Sequence, residues 1–257
     1  MVPLNLIVCA TKTNGIGQAG KLPWRLKEDM KFFKHLTTLA PPEQKNVVIM
    51  GRKTWQSIPA KFRPLSNRIN IVVSRQADPR SLDIDPQRDS HLVNSLESAC
   101  ELIQRIEPTI DSKCPAGEQE GSSRRKLVNK VFVIGGAELY KTVLGSKEGN
   151  RFFKPSNILM TRILSDHPPI EKSLDTFFPE FRHDKGWSKS QNSQEQNDFL
   201  FLSNNQNHSP GLLIHPANQK EPMFHFDQLI IEDSFMYKLE LWTKDHLHLT
   251  RMKMKAS

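Results

Sequence analysis

Asp29 is the residue whose type and setting most directly suggest chemistry. It lies beside Met30 and four residues before Phe33, so on a helix these side chains can line one wall of a pocket. An acid in apolar surroundings can have a raised pKa, and its two oxygens can accept paired hydrogen bonds from an amidine-like group. The alternative is a solvated acid in the first turn of a helix, where the helix dipole favours negative charge. Taken alone, Asp29 fits the solvated acid better.

A second set of residues has the chemistry of an anion site. Each piece follows a predicted strand: Gly51-Arg52-Lys53-Thr54, Ser74-Arg75 and Ile134-Gly135-Gly136-Ala137. The first and third pieces also begin helices, whose free N–H groups and bare glycine backbone can approach a phosphate closely. We expect the three pieces to share one edge of a parallel sheet. Together they could hold a ribose 2′-phosphate, the group that distinguishes NADPH from NADH.

Arg68 stands apart from this set, just before the third predicted strand. Its guanidinium could pair with a carboxylate through two hydrogen bonds. A surface salt bridge is the alternative and is favoured when Arg68 is considered by itself.

The segment Gly15-Ile16-Gly17-Gln18-Ala19-Gly20 matches the GxGxxG pattern of a dinucleotide-binding loop. The context does not fit, because Leu22-Pro23-Trp24 follows where the helix of that motif should begin. We interpret the stretch from Thr11 to Trp24 as a long, glycine-hinged loop that can cover a ligand and move. Trp24 then serves as a contact or lid residue.

Composition limits the classes of partner. The net charge of +8 and the pI near 9.4 favour anionic partners, but the basic residues are scattered, which favours small anions over a polynucleotide. No stretch approaches the roughly 18 apolar residues of a membrane span, and the N-terminus lacks a basic leader region. The three cysteines have no metal-binding spacing and suit a reducing compartment. We therefore expect a cytoplasmic protein with no nucleic-acid, membrane or metal partner, and we take the chain to be a monomer.

The arrangement of apolar residues predicts the elements that position these groups. Predicted strands alternate with helices, which is typical of a largely parallel sheet covered by helices. The strands are expected at 4–11, 46–50, 68–74, 130–135 and 156–164, and an antiparallel pair at 233–244 and 187–191. The helices are expected at 26–39, from 53 to before Pro59, at 95–106 with Ser95 as N-cap, and after Gly135-Gly136. The first helix is amphipathic, with Leu26, Met30, Phe33, Leu36 and Leu39 as its predicted buried face.

Two segments, 111–126 and 192–221, look like loop insertions. The first is small and charged, and the second is rich in Asn, Gln, Ser and His. We expect both to be mobile and non-catalytic.

Taken together, the motifs resemble the dihydrofolate reductase family. The matching segments run in order from about residue 4 to residue 244: LIVCAT, GIGQAGKLPW, DMKFFK with its acid five residues after the Trp, VVIMGRKTWQSIP, RPLSNRINIVVSR, VFVIGGAELY, LMTRI, DTFFPEF and YKLELW. The spacing after the Trp and the long loops are similar to a fungal form of the family.

The resemblance implies a single α/β domain over residues 1–257. Its sheet would have eight mostly parallel strands with an antiparallel C-terminal strand, flanked by about four helices. The implied reaction is the NADPH-dependent reduction of 7,8-dihydrofolate to 5,6,7,8-tetrahydrofolate, by hydride transfer to C6 and protonation at N5. The product would supply one-carbon metabolism and thymidylate synthesis, and antifolate-like pterins or diaminopyrimidines would also bind.

The resemblance also implies roles for individual residues. Asp29 would hydrogen-bond the pterin ring with support from Thr161, Trp24 would reach the ring through water, and Arg68 would pair with the α-carboxylate of the glutamate tail. The substrate and nicotinamide pockets would be lined by Ile7, Val8, Met30, Phe33, Ser57, Ile58, Leu65, Ile134 and Tyr140. NADPH would contact Cys9, Ala10, Ile16, Gly17, Gly20, Lys21, Gly51, Arg52, Lys53, Thr54, Ser74, Arg75, Gln76, Gly135, Gly136, Ala137, Glu138, Leu139 and Tyr140. Cis peptides are implied at Arg63-Pro64 and Gly135-Gly136.

The sequence departs from the family pattern in three places. Cys9 stands where Ala is usual, Phe62 stands where many relatives have a polar residue, and the acid is Asp where relatives in nucleated organisms usually have Glu. Two other functions are alternatives: a riboflavin-pathway reductase, which should lack Asp29 and need a phosphate site in place of Arg68, and a non-catalytic NADPH sensor or RNA binder. The intact motifs and the absence of basic clusters with interleaved aromatics favour the reductase.

Overall fold

The computed structural model describes residues 1–75, 78–106, 127–147, 150–184, 186–200 and 224–244. Gln76, the predicted insertion at 111–126 and residues 201–221 of the second insertion lie outside these ranges.

Strands and helices alternate along most of the chain. The strands are β1 (Val2–Ala10), β2 (Gly15–Gly17), β3 (Lys45–Gly51), β4 (Arg68–Val73), β5 (Ser90–Val93), β6 (Val128–Val133), β7 (Phe153–Ile163), β8 (Thr176–Phe177), β9 (Trp187–Lys189), β10 (Leu229–Glu232) and β11 (Phe235–Lys244). The α-helices are α1 (Lys27–Thr38), α2 (Arg52–Ser57), α3 (Leu96–Ile106), α4 (Ala137–Leu144), α5 (Pro168–Ser173) and α6 (Ser193–Leu200). Short 3-10 turns occur at Ala60–Phe62, Arg80–Leu82 and Pro86–Arg88.

The chain divides into two compact units. The first unit comprises Met1–Asn5 and Ala40–Pro155, and the second comprises Leu6–Leu39 and Ser156–Ser257. Strand β1 therefore contributes residues to both.

The first unit contains a parallel ladder. β3 pairs in parallel with β4 and with β6, and β4 pairs in parallel with β5. Residues Val47 to Met50 are fully buried, as expected for a parallel strand covered on both faces. Helices α2 and α4 contact β3, while α3 contacts β4 and β5. Ser95 caps α3 as predicted, because its Oγ accepts a hydrogen bond from Ser98 N at 3.1 Å.

The second unit contains the antiparallel ladders. β11 pairs antiparallel with β7, β9 and β10, and β2 pairs with β8. The predicted pairing of the C-terminal strand with the segment at Trp187 is confirmed, since Trp242 lies opposite Lys189. β10, β2 and β8 were not predicted, because two to four residues carry too little alternation to show a period.

Hydrogen-bonded neighbours give the strand order β10-β11-β7-β1-β6-β3-β4-β5, with β9 paired to β11. The predicted α/β fold class and the antiparallel C-terminal strand are confirmed. Within the described residues the sheet has nine strands, the eight of this path and β9. There are more helices than the four predicted.

The helix α6 lies where the sequence predicts the start of a mobile insertion. Phe199 and Leu200 at its end are buried, and the carbonyl oxygen of Leu200 lies 2.9 Å from His35 Nε2 on α1. The apolar side chains of Phe199 and Leu200 hold this short helix. They were not recognised in the sequence because the rest of the segment is polar. The prediction of a loop is therefore wrong for residues 193–200.

The buried face of α1 agrees with the predicted one at Leu26 and Leu36, each 2% exposed, but differs from it elsewhere. Phe32, Leu36 and Thr37 are buried, whereas Met30 is 53% exposed. Phe32 packs edge-on against the rings of Phe224 and Phe226, which are remote in sequence. The helical period showed that one face is apolar but not which apolar residues would find partners.

None of the helices in the described parts of the chain is long and apolar enough to cross a membrane.

Candidate active site

Asp29 lies in the first turn of α1, in the second unit, and is partly buried. Thr161, a buried residue of β7, donates a hydrogen bond from Oγ1 to Asp29 Oδ1 at 2.5 Å. This bond uses one lone pair of Oδ1, so Oδ2 and the second lone pair of Oδ1 can accept hydrogen bonds from a ligand. The geometry is not that of a solvated first-turn acid.

Burial raises the pKa of Asp29 from 3.8 to about 6. The Thr161 hydrogen bond opposes this shift, since it stabilises the charged form, and the negative charge of Glu232 adds to it. A carboxyl group with a pKa near 6 is mostly ionised at pH 7 but exchanges protons close to neutrality. Asp29 can therefore bind a cationic or amidine-like group and respond to its protonation.

Trp24, which the sequence predicts to be a contact or lid residue, is buried. It is 7% exposed and packs with Leu26, Ile163 and Tyr237, with Cys9 partly buried beside them. Its indole Nε1 is buried and makes no well-formed hydrogen bond among the described residues, with the Cys9 sulfur as a weak acceptor beside it. A buried N–H of this kind can serve a ligand or a bridging water.

Cys9 is close to the acid as well. Burial and the charge of Asp29 raise the pKa of the Cys9 thiol well above its usual value. The thiol is therefore neutral at physiological pH and unsuited to act as a nucleophile.

The other predicted pocket residues of the second unit differ in exposure. Ile7 and Val8 on β1 are buried at 7% each, and Ala10 is fully buried. Met30 is exposed and Phe33 is partly buried, both on α1.

The stretch from Thr11 to Trp24 is tied to neighbouring segments at several points. Gly15 and Gly17 on β2 pair with β8, and Ala19 N donates to Asp175 Oδ2 at 2.7 Å. The predicted cofactor residues Ile16 and Gly17 lie inside this paired part, while Gly20 and Lys21 are exposed beyond it. Any movement of the loop must break or carry these bonds.

Two residues of the second unit that the sequence reasoning missed hold this region. Arg162, next to Thr161, is buried and donates from Nη1 to Thr11 O at 2.6 Å and to Asn14 Oδ1 at 2.8 Å. Arg162 lies in the LMTRI motif, which marks the segment as belonging to the site. The motif does not show that the Arg162 side chain would bond the stretch from Thr11 to Asn14. Glu232 at the end of β10 accepts hydrogen bonds from the backbone of α1, and no local pattern indicates this.

The predicted anion site lies in the first unit. β3 ends at Gly51 opposite Val73 of β4, and Ile49 lies opposite Val133 of β6, so the segments after these strands share one sheet edge as expected. Arg52, Lys53 and Arg75 are exposed there, and Thr54 and Ser74 are partly buried.

Glycines bring two backbones together at this edge. Gly51 N donates to Gly135 O at 2.7 Å, and the Gly135-Gly136 peptide is cis, as the resemblance implied. Gly135 has a φ of 125°, and a Cβ there would lie 3.3 Å from Thr54 Oγ1 and 3.5 Å from the hydroxyl of Tyr140. Only glycine suits this position.

Helix α4 begins directly after these glycines, with Gly136 as its N-cap residue. The first turn presents free N–H groups, and the helix contains the remaining predicted cofactor residues Ala137, Glu138, Leu139 and Tyr140. Exposed cations, bare backbone and a helix start form a set of donors that fits a phosphorylated nucleotide.

Arg68 begins β4, at the end of the strand away from the anion site. It is 5% exposed, so the surface salt bridge weighed from sequence does not describe it. Its Nε donates to Ser66 O at 3.0 Å, and burial lowers its pKa from 12.5 to about 10. Ser57 is exposed, while Ile58, Leu65 and Ile134 are partly buried. Arg63-Pro64 is cis, as implied by the resemblance, and Phe62 is exposed.

Comparison with known proteins identifies the class of α/β reductases that use a nicotinamide cofactor. A family model described as dihydrofolate reductase matches residues 3–206. The dihydrofolate reductase of Pneumocystis carinii is 35% identical over 246 residues, covering 94% of this chain and 97% of that protein. That of Schistosoma mansoni is 40% identical over 184 residues, covering 71% of this chain and 81% of that protein. A solved structure of the Schistosoma mansoni enzyme matches with a TM-score of 0.59 and 31% identity, over 95% of this chain and 98% of that one. The chain belongs to the dihydrofolate reductase family.

Proposed function

We propose that this protein reduces 7,8-dihydrofolate to 5,6,7,8-tetrahydrofolate with NADPH as the reductant. The observation that carries the proposal is the partly buried Asp29 carboxylate, with a pKa near 6 and a hydrogen bond from Thr161, in a chain of this family. NADPH, when bound, supplies a hydride for C6 of the pterin ring.

Asp29 binds the amidine-like edge of the pterin. Thr161 fixes the orientation of the carboxylate by holding Oδ1, which leaves lone pairs on both oxygens for paired hydrogen bonds. The negative charge of Asp29 favours protonation of N5, with water as the proton carrier. The buried N–H of Trp24 is a suitable donor for an ordered water near the ring.

The cofactor residues act by binding rather than by chemistry. Arg52, Lys53, Thr54, Ser74 and Arg75 supply charge and donors for the ribose 2′-phosphate, which selects NADPH over NADH. Backbone groups from Gly51, Gly135 and Gly136 to Tyr140 hold the rest of the nucleotide. Cys9, Ala10, Ile16, Gly17, Gly20 and Lys21 supply contacts from the β1–β2 region.

The substrate residues provide shape and one charge. Arg68 pairs with the α-carboxylate of the glutamate tail through its buried guanidinium. The apolar wall consists of Ile7, Val8, Met30, Phe33, Ile58, Leu65 and Ile134, with the hydroxyl groups of Ser57 and Tyr140 at its polar points. Pterin and diaminopyrimidine antifolates share the amidine edge and compete for Asp29.

The chain as a whole acts as one dihydrofolate reductase domain, and we infer that it is a cytoplasmic monomer. The match of the family model from residue 3 to residue 206 supports the single domain, because it spans both compact units.

The test is the loss of NADPH absorbance on adding dihydrofolate, repeated with NADH. We expect oxidation of NADPH and much slower oxidation of NADH. Asp29→Asn should lower turnover at pH 7 by at least about 100-fold, the usual scale for loss of proton-transfer assistance, while the Kd for NADPH stays within about twofold. Glu97→Gln, a matched loss of charge on α3, should leave the turnover and the Kd for NADPH unchanged.

Wild-type protein that binds NADPH without oxidising it would favour the non-catalytic sensor. Near-normal turnover by the Asp29→Asn variant at neutral pH would remove Asp29 from the mechanism.

A further inference from the structure

The helix that carries Asp29 begins without a capping residue of its own. Leu26 occupies the N-cap position with extended backbone, and it has no side-chain hydrogen-bonding group. The first N–H groups of a helix need acceptors from elsewhere when no local side chain provides one. A remote residue supplies them here.

Glu232, at the end of β10, takes the capping role. Its Oε1 accepts from Lys27 N at 2.6 Å and its Oε2 accepts from Glu28 N at 3.1 Å. These two N–H groups directly precede Asp29 in the first turn. The cap thus fixes the part of α1 in which the acid lies.

A third hydrogen bond holds the Glu232 carboxylate in place. The Tyr237 hydroxyl donates to Oε2 at 2.9 Å, and the ring of Tyr237 is fully buried with Trp24 and Leu26. Burial raises the pKa of Glu232, but the two backbone bonds and the Tyr237 bond outweigh it and hold that pKa below its usual value. Glu232 is therefore a fixed negative charge at neutral pH.

The same strand that carries Tyr237 also braces the partner of Asp29. On β11, Tyr237 lies opposite Ile163 and Leu239 lies opposite Thr161 of β7. Both partners of the hydrogen bond between Asp29 and Thr161 are thus linked to β11. Thr161 is linked through the pairing of β7 with β11, and the helix of Asp29 is linked through Glu232, which Tyr237 of β11 holds.

We propose that Glu232 is a positioning residue for Asp29, capping α1 from the β10–β11 hairpin and setting the orientation and charge balance of the acid. The proposal rests on the proposed function and adds a residue to its substrate site.

The charge of Glu232 affects Asp29 in a definite direction. A helix N-terminus carries partial positive charge, which would lower the pKa of an acid in the first turn. Glu232 compensates that charge and repels the Asp29 carboxylate, which helps to keep its pKa high. Among the described residues, Thr161 on β7 hydrogen-bonds Asp29, and Cys9 on β1 and Tyr237 on β11 lie close enough for the charge of Asp29 to raise their pKa values.

The experiment compares Glu232→Gln with Asp233→Asn. Gln keeps the size of the side chain and one acceptor oxygen but removes the charge. Asp233 is exposed in the adjoining turn with a φ of 52°, a conformation that Asn tolerates, so its substitution is a matched loss of charge. The pKa of Asp29 is followed by carboxyl-carbon NMR in the unliganded protein, and kcat and KM are measured from pH 5 to 9.

In Glu232→Gln we expect the Asp29 pKa to fall by about half a unit or more. The KM for dihydrofolate should rise about 3- to 10-fold, on the scale of a weakened helix cap, while the Kd for NADPH stays unchanged. Asp233→Asn should match the wild type in the Asp29 pKa, the KM for dihydrofolate and the Kd for NADPH. Tyr237→Phe should shift the Asp29 pKa and the KM in the same direction as Glu232→Gln, by less.

An Asp29 pKa in Glu232→Gln equal to the wild-type value would overturn the proposal, as would equal shifts in Glu232→Gln and Asp233→Asn. The NMR titration needs no activity, so it decides this inference even if the wild-type protein fails to reduce dihydrofolate. Should Glu232→Gln not fold, Tyr237→Phe decides it by the same titration, and an unshifted Asp29 pKa there counts against the proposal.

Discussion

The Asp29 carboxylate is held in a setting that favours its function over the stability of the fold. Partial burial and the nearby Glu232 disfavour its charged form, and among the described residues the Thr161 hydrogen bond opposes them. An acid tuned to a pKa near 6 is useful for a reaction that takes up a proton near neutral pH. Ionisation of Asp29 in the folded state therefore lowers the free energy of unfolding.

Asp29→Asn should therefore stabilise the protein at neutral pH. The folded pKa, about 6, is above the unfolded value of 3.8, so between these values the folded chain holds a proton that the unfolded chain has released. Wild-type stability falls relative to the variant as the pH rises from 4 to 7, by about 1–3 kcal/mol, and stays lower above that. Asn keeps an oxygen to accept from Thr161.

Urea unfolding of both proteins at pH 4.5 and pH 7.5 measures this difference. A stability difference that does not change between the two pH values would show that the Asp29 pKa is not raised in the folded state. Glu97→Gln, which removes an acid with no such setting, serves as the control.

At the scale of elements, the close approach of β3 and β6 at their ends is what forms the anion site. The hydrogen bond from Gly51 N to Gly135 O joins the two strand ends, and α2 and α4 begin there. A Cβ at Gly135 would lie 3.3 Å from Thr54 Oγ1 and 3.5 Å from the Tyr140 hydroxyl, so a side chain there would press on Thr54.

Gly135→Ala should disrupt this junction. The φ of 125° is strained for any L residue with a Cβ, and the methyl group would also press on Thr54. We expect a loss of about 1–3 kcal/mol in unfolding free energy and a weaker Kd for NADPH.

Gly136→Ala is the matched control, because its φ is −91° and its nearest neighbour would be 3.5 Å from the new Cβ. Gly136→Ala should lower the free energy of unfolding, measured by heat or urea, by less than half as much as Gly135→Ala. Equal losses in the two variants would mean that the backbone conformation of Gly135 is not what restricts the site.

At the scale of the whole molecule, ligand binding and folding are linked. A ligand that binds only the folded chain at about 100 times its Kd adds about 2.7 kcal/mol to stability. For a chain of this size that corresponds to a rise in Tm of about 5–10 °C. We expect this rise with NADPH and a clearly smaller one with NADH at the same concentration, because NADH lacks the 2′-phosphate.

Thermal unfolding with each nucleotide measures the difference. Equal Tm shifts with NADPH and NADH would contradict the assignment of Arg52, Lys53 and Arg75 to the 2′-phosphate. Adenosine alone serves as a control for binding without phosphate.

Much of this molecule could be predicted from local patterns. The parallel strands are long, continuous β-branched runs because they are buried on both faces, and such runs stand out in a sequence. Ser95 caps α3 through its own neighbours, so the start of that helix was predicted correctly. The predicted positions of Gly51 and Gly135 at strand ends placed them at one sheet edge, since parallel strands bring their carboxyl ends together.

Other features depended on partners far away in the chain. The face of α1 that carries Phe32 is buried because Phe32 packs against Phe224 and Phe226. The helix α6 packs through Phe199 and Leu200, although the rest of its segment is polar. Trp24 is buried because Leu26, Ile163 and Tyr237 surround it. No window of sequence contains these contacts.

The sequence alone determined that an acid follows the LPW segment by five residues and that basic residues and glycines follow the parallel strands, because residue type and spacing are local properties. The tertiary structure alone decided the state of that acid. Its pKa near 6 depends on burial, on a hydroxyl from β7 and on a carboxylate from β10, all brought to α1 by folding. Electrostatic energies depend on distances through space, and those distances exist only once the chain has folded.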